Sequence, residues 1–157
     1  MSIFFEKNFY QKFLSLPTLT GYDILSRKHF KNKSEVKSMH GNESSENYLE
    51  TILILSQRLP VVRSVDVATE LDFKKSSVSV AMKKLRESGH IVVSPEGYIT
   101  LTETGRRIAD CIYERHTLLS SWLTRLGVDP KVAAEDACRI EHVISAESFE
   151  AIKRHIK

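Results

Sequence analysis

The stretch "RSVDVATELDFKKSSVSVAMKKLRESGHIVVSPEGYITLT", Arg63 to Thr102, decides the fold. Its first part offers Ser64 as an N-cap and sets Val65, Ala68 and Leu71 on one face of a helix of about two turns. Asp72-Phe73 breaks that pattern. Apolar residues then recur at i, i+4, i+7 in Val78, Met82 and Leu85, and Gly89 stands where a helix stop belongs. Two short helices joined by a turn of a few residues make a helix-turn-helix. Behind them, Ile91–Val93 and Tyr98–Leu101 are β-branched or alternating runs separated by Ser94-Pro95-Glu96-Gly97, which has the composition of a hairpin turn. A helix-turn-helix followed by a hairpin is the order of a winged helix.

Upstream, Tyr48, Leu49, Ile52 and Leu55 share a helical face, with Ser44 or Ser45 available as N-cap and an end expected near Gln57. Downstream, Ile108, Ile112, Leu119, Leu123 and Leu126 keep helical spacing as far as Gly127. At 1.5 Å per residue that helix is on the order of 30 Å long, enough to leave the winged lobe and build a second one. Asp129-Pro130 then supplies a cap and an N1 proline for the next helix, and Ser145 can cap a last one carrying Phe149, Ile152 and Ile156. The expected fold is mostly α with one small β-hairpin. A winged helix-turn-helix domain is expected over residues 44–107, and a second, helical domain over 108–157. Residues 1–43 lack sustained periodicity and read as a poorly ordered extension, with Met39 a candidate for the natural start.

Bulk composition narrows the class. The 157 residues are 41% hydrophobic, enough for one sizeable core. The formal charge of +3 falls in residues 1–43, where seven Lys and Arg face four Asp and Glu; the remainder is balanced at sixteen each. No run of about 18 apolar residues is present, so no membrane span is expected. The opening "MSIFFEKNFYQKFL" is interrupted by Glu6, Lys7 and Lys12, a poor signal peptide, and a cytoplasmic location is the expectation. Cys111 and Cys138 are too few for a disulfide framework; in a reducing compartment they pack or ligate metal.

In a helix-turn-helix the second helix enters the major groove, and its first side chains meet base edges. Here these are Lys74, Lys75, Ser76, Ser77 and Ser79, with Lys83, Lys84 and Arg86 extending a basic flank. Lysine can neutralise phosphate or donate to guanine, and serine hydroxyls can meet either phosphates or bases. Between Arg58 and Arg107, nine basic residues face six acidic ones. A solvated charged helix face is the plain alternative, but helix, turn, basic Ser-rich helix and hairpin in succession fit DNA docking better.

A second constellation lies in the other lobe. Cys138, Glu141 and His142 are spaced i, i+3, i+4 and project from one helical face. His116 falls about 40° from Ile112 and about 60° from Leu119 at 100° per residue, so it points inward with the apolar stripe; Cys111 is about 140° away from it and reads as a packing or surface thiol. Asn47 and Glu50 form a further i, i+3 polar pair on the first helix. A thiolate, two carboxylates, two imidazoles and an amide oxygen can make a five- or six-ligand site for a divalent transition metal. Oxygen and nitrogen donors suit Mn²⁺ or Fe²⁺, while sulfur tilts the balance toward Fe²⁺, Co²⁺ or Zn²⁺. A core cysteine beside a surface Glu-His pair remains the structural alternative. Nucleophilic catalysis by Cys138 has no Gly-rich turn or oxyanion hole beside it, and an enzyme is not expected.

The segments "SSENYLETILIL", "VDVATELDFKKSSVSVAMKKLRESGHIVVSPEGYITLTETGRRIA", "ERHTLLSSWLTRLGVD" and "DACRIEHVIS" resemble, in order and spacing, metal-dependent repressors of the diphtheria toxin repressor and manganese transport regulator family. The resemblance covers roughly residues 44–157. It implies that 108–157 is a helical metal-binding and dimerisation domain, and that the chain is a homodimer that binds a palindromic DNA operator when metal-loaded and represses manganese or iron uptake genes. His116, Glu141 and His142 match ligand positions of both branches. Cys138 matches the cysteine of the iron branch, where the manganese branch has glutamate. Glu50 matches a manganese-branch ligand, and Asn47 stands where one branch has methionine and the other aspartate. Ser120 and Ala134 replace the ancillary ligands of the iron branch, and the sequence ends at Lys157 without that branch's SH3-like domain and short of the manganese branch's final helix. The rival reading is a winged-helix regulator that is metal-independent or senses redox through Cys138.

Overall fold

A computed structural model describes residues 43–156, so the expectations for an N-terminal extension and a start at Met39 lie outside the described residues. The chain runs α1 (Glu43–Arg58), α2 (Ser64–Leu71), α3 (Lys75–Glu87), β1 (Ile91–Val93), β2 (Ile99–Leu101), α4 (Glu103–Arg125), α5 (Pro130–Val143) and α6 (Ala146–His155). The winged helix read from the sequence is present in that order.

Helix α1 is buried nearly all round. Besides the expected Tyr48, Leu49, Ile52 and Leu55, it buries Leu53, Ile54, Thr51, Glu46 and Glu50. An apolar stripe on one face would mark a surface helix; α1 instead fills the seam between α2 and α4. Neither Ser44 nor Ser45 caps it, because the helix already includes both, with Glu43 and Glu46 in its first turn. Those carboxylates sit where the positive end of the helix dipole favours them.

The helix-turn-helix closes with local chemistry. Arg63, not Ser64, occupies the N-cap of α2, and Asp66 Oδ2 reaches back to accept the Arg63 backbone N–H at 2.8 Å. Ser64 moves to the first helical position because the aspartate one turn on supplies the missing acceptor. Asp72 ends α2 at φ 53°, a left-handed conformation an aspartate tolerates, and Gly89 follows α3 at φ 73°. Val78, Met82 and Leu85 are the buried face of α3, joining α1, α2 and the hairpin in one core.

The wing pairs Ile91 with Leu101, Val92 with Thr100 and Val93 with Ile99, antiparallel. Gly97, at φ 83°, donates to the Ser94 carbonyl at 2.9 Å across the turn. Ile99 also bridges to Val62, which stitches the wing to the strand-like segment before α2.

Thr102 caps α4, accepting the Gly105 N–H at 3.1 Å while its hydroxyl donates to the Gly89 carbonyl at 2.8 Å. The 23 residues of α4 run unbroken through residue 107, where the sequence places the division between domains. Asp129 caps α5 through Lys131 and Val132 N–H groups, with Pro130 at N1, and Ser145 caps α6 through the Ser148 N–H, as expected. Leu119, Ala137 and Phe149 form a second, smaller core among α4, α5 and α6.

Candidate metal centre

Three helices converge on a buried polar cluster. From α1 comes Glu50, 1% exposed; from α4, His116, 0% exposed; from α5, Glu141, 0% exposed. Their donor atoms lie within 4.8 Å of one another. Cys138, Glu141 and His142 form a second triad on the same criterion, and Glu141 is common to both. The structure thus gathers five of the six residues singled out in the sequence. Asn47, the sixth, is half-buried one turn before Glu50 on α1, and its backbone carbonyl accepts from Thr51 Oγ1 at 2.7 Å.

From α1 also comes Glu46, whose Oε2 lies 2.7 Å from His142 Nδ1. Glu46 and Glu50 are i, i+4 and share a face, a spacing legible in the sequence but passed over for the i, i+3 pair. Arg115 was also missed. It is buried, donates from Nη1 to the Glu141 backbone carbonyl at 2.9 Å and stacks its guanidinium over Phe149, 5.7 Å from the ring centre. At 100° per residue it falls about 20° from Ile108 and about 40° from Leu119, on the apolar stripe itself, so its inward position was legible from spacing although its charge argues for the surface.

The electrostatics of this cluster are severe. Burial drives the Glu50 carboxyl up to about 8, the charge of Glu141 adds to that, and His116 partly offsets it. Glu141 is likewise held well above the ordinary carboxylate range by burial, against the pull of His142, a hydrogen bond from Cys138 and the charge of Arg115. Burial lowers His116, with Glu50 pulling the other way. For His142 burial acts downward, but its hydrogen bond to Glu46 and the charges of Glu141, Glu46 and Glu43 lift it above its usual value. Two carboxylates cannot both ionise in a dry core without a cation.

Hydrogen bonding leaves donor atoms spare. His116 Nδ1 is 2.8 Å from Glu141 Oε2, yet Glu141 Oε1, Glu50 Oε1 and His142 Nε2 are buried without a hydrogen-bond partner. Unpaired buried polar atoms of this kind are costly and call for an explanation. A divalent transition metal supplies one: carboxylate oxygens, imidazole nitrogens and a thiol are its donor types, and the residues present fit it. Cys111 stays outside both triads, half-buried, its thiol pushed up by burial.

In the winged lobe, Lys74 at the N-cap of α3 and Lys75, Ser76, Ser77, Ser79, Lys83, Lys84 and Arg86 along it are all exposed to solvent. Val80 is 56% exposed among the serines, an apolar side chain of the kind that meets a thymine methyl, and it escaped the polar search. Lys83 pairs at 3.9 Å with Glu87, a surface contact of little strength.

Comparison with known families fits both halves. Residues 42–98 match the iron dependent repressor, N-terminal DNA binding domain, and residues 102–157 match the iron dependent repressor, metal binding and dimerisation domain. The chain belongs to the iron-dependent repressor family. It is a DNA-binding, metal-dependent regulator of transcription, not an enzyme, and redox sensing through Cys138 alone is not favoured. The transcriptional regulator MntR of Escherichia coli is 31% identical over 130 residues, 83% of this chain and 84% of that protein. An uncharacterised HTH-type transcriptional regulator of Methanocaldococcus jannaschii is 36% identical over 114 residues, 71% of this chain and 91% of its own length. Among solved structures, a manganese-dependent transcriptional repressor in complex with manganese superposes with a TM-score of 0.65 at 27% identity over 71% of this chain. The chain spans 51% of that structure, about half its length. No helix among the described residues is long and apolar enough to cross a membrane.

Proposed function

We propose that this iron-dependent repressor family member is a cytoplasmic homodimer that binds Mn²⁺ or Fe²⁺ through Glu50, His116, Cys138, Glu141 and His142, and in that state represses manganese or iron uptake genes from a palindromic operator. The supporting observation is the buried, orphaned set of Glu50 Oε1, Glu141 Oε1 and His142 Nε2 at the junction of α1, α4 and α5. A bound divalent cation would neutralise the two buried carboxylates and supply a common centre for the oxygen, nitrogen and sulfur donors. Zn²⁺ and Co²⁺ suit the same donors through Cys138.

The helices translate that chemistry into geometry. Glu50 sits on α1, which is packed into the core of the winged lobe with α2 and α3. His116, Cys138, Glu141 and His142 sit on α4 and α5, which form the second lobe. Holding Glu50 against α4 and α5 therefore fixes how α3 is carried relative to the dimerisation lobe, and with it the spacing of the two recognition helices of a dimer. Lys74 and Lys75 neutralise phosphates at the start of α3, and Ser76, Ser77 and Ser79 lie where base edges are read. The ligand shifts DNA affinity only as far as it prefers the DNA-competent arrangement.

The decisive experiment selects a DNA site in vitro. Affinity for that site is then measured with Mn²⁺, Zn²⁺ and anaerobic Fe²⁺ added separately, and after exhaustive chelation. A rise of about tenfold or more with at least one metal is expected, which is about 1.4 kcal/mol of coupling. Equal affinity with and without metal sinks the proposal.

A further inference from the structure

Glu46 touches a histidine of the centre yet belongs to neither donor triad. It is buried on α1, and its partner His142 lies 96 residues away on α5. We propose that Glu46 is a positioning residue for the metal ligand His142, holding the ring in the tautomer and orientation that turn Nε2 toward the cluster. This rests on the reading of His142 as a ligand.

A carboxylate oxygen accepts a hydrogen bond, so the proton of the 2.7 Å contact lies on Nδ1. In the neutral ring that leaves the lone pair on Nε2. The same Nε2 is buried without a hydrogen-bond partner and lies 3.4 Å from Glu141 Oε1, pointing into the donor set. A carboxylate behind an imidazole also raises its basicity as a ligand, and removing such a partner costs about 10–100-fold in metal affinity. The other histidine is held differently: His116 Nδ1 meets Glu141, itself a member of both triads. Because Glu46 and Glu50 stand one turn apart, α1 contributes a donor and the support of a second donor from a single face.

The test uses the full chain with ¹⁵N-labelled histidine, as wild type, Glu46→Gln and Glu46→Ala. In metal-free protein, at a pH where the ring is neutral, two-bond nitrogen–proton correlations read the His142 tautomer. Wild type and Glu46→Gln, whose amide oxygen still accepts, should show Nδ1–H; Glu46→Ala should lose that preference. Zn²⁺ and Mn²⁺ titrations should show Glu46→Ala weakened about 10–100-fold, with Glu46→Gln recovering part of the loss. Glu46→Gln is close to isosteric and keeps the comparison valid where Glu46→Ala folds poorly. Retention of Nδ1–H in Glu46→Ala overturns the proposal, as does unchanged metal affinity in both variants. Absence of metal uptake by the wild-type chain would instead remove the reading of the centre, while the metal-free measurement still reports whether Glu46 holds His142.

Discussion

Replacing Glu50 with glutamine should stabilise the metal-free protein while weakening its hold on metal. Glu50 is 1% exposed and its carboxyl is raised to about 8, against an ordinary value of 4.5. The folded state therefore keeps a proton that the unfolded chain releases, so stability falls as pH rises between those two values. The slope approaches about 1.4 kcal/mol per pH unit, and from pH 4.5 to 7.5 the accumulated cost is at most about 4 kcal/mol. Glutamine has nearly the same shape and no charge, and does not incur that cost. Allowing for relaxation around the carboxylate, metal-free Glu50→Gln should exceed wild type by about 2 kcal/mol or more at pH 7.5 and by well under 1 kcal/mol at pH 5. For a domain of this size that is on the order of 10 °C in Tm. Saturating Mn²⁺ should reverse the order, because wild type gains ligand-linked stability that the variant largely forfeits. Thermal melts at both pH values, with chelator and with Mn²⁺, give all four numbers. A metal-free variant less stable than wild type at pH 7.5 would refute the inference that burial of Glu50 is held against its charge.

Three further perturbations probe other parts of the molecule. Cys138→Glu exchanges a soft donor for a hard one and should raise the ratio of Mn²⁺ to Zn²⁺ affinity by about tenfold or more; an unchanged ranking in competition titrations counts against Cys138 as a ligand. Lys74→Ala and Lys75→Ala should each weaken DNA binding across sequences and lower the salt slope by about 1, with a smaller effect for Lys83→Ala, whose ammonium already faces Glu87. Gly105→Ala places a methyl on the His90 carbonyl oxygen, a backbone atom that cannot step aside, so urea denaturation should show a loss of about 2 kcal/mol or more despite alanine's better helix propensity.

The winged helix was legible because each of its signals is local. Val78, Met82 and Leu85 mark one helical face, Gly89 the stop, and Ser94-Pro95-Glu96-Gly97 the turn, and none of these depends on a distant partner. Errors arose where two local options competed. Ser64 has the chemistry of an N-cap, yet Asp66 accepts the Arg63 N–H and shifts the cap by one residue. For α1 the periodic stripe accounted for half the burial only, because a helix sandwiched between α2 and α4 buries Leu53 and Ile54 as well, and no single-face pattern reports a second neighbour.

The centre was legible for a different reason. Cys138, Glu141 and His142 are one turn of α5, so spacing alone put them together, whereas their meeting with Glu50 and His116 is tertiary and rested on the donor types those helices carry, with the resemblance added to it. Asn47 was singled out by its i, i+3 spacing from Glu50, and that spacing does not report a carboxylate one residue earlier on the same helix. A carboxylate that reaches α5 comes from Glu46, whose Oε2 meets His142 Nδ1. That placement matters physically because Glu46 and Glu50 lie on the face of α1 that meets α4 and α5, while the rest of the helix is committed to the core of the winged lobe. The helix that carries Glu50 is thus also a structural beam of the winged lobe. A change in how α1 seats against α5 cannot be absorbed by α1 alone and must be passed to α2 and α3, which is the property a metal-operated DNA-binding switch requires.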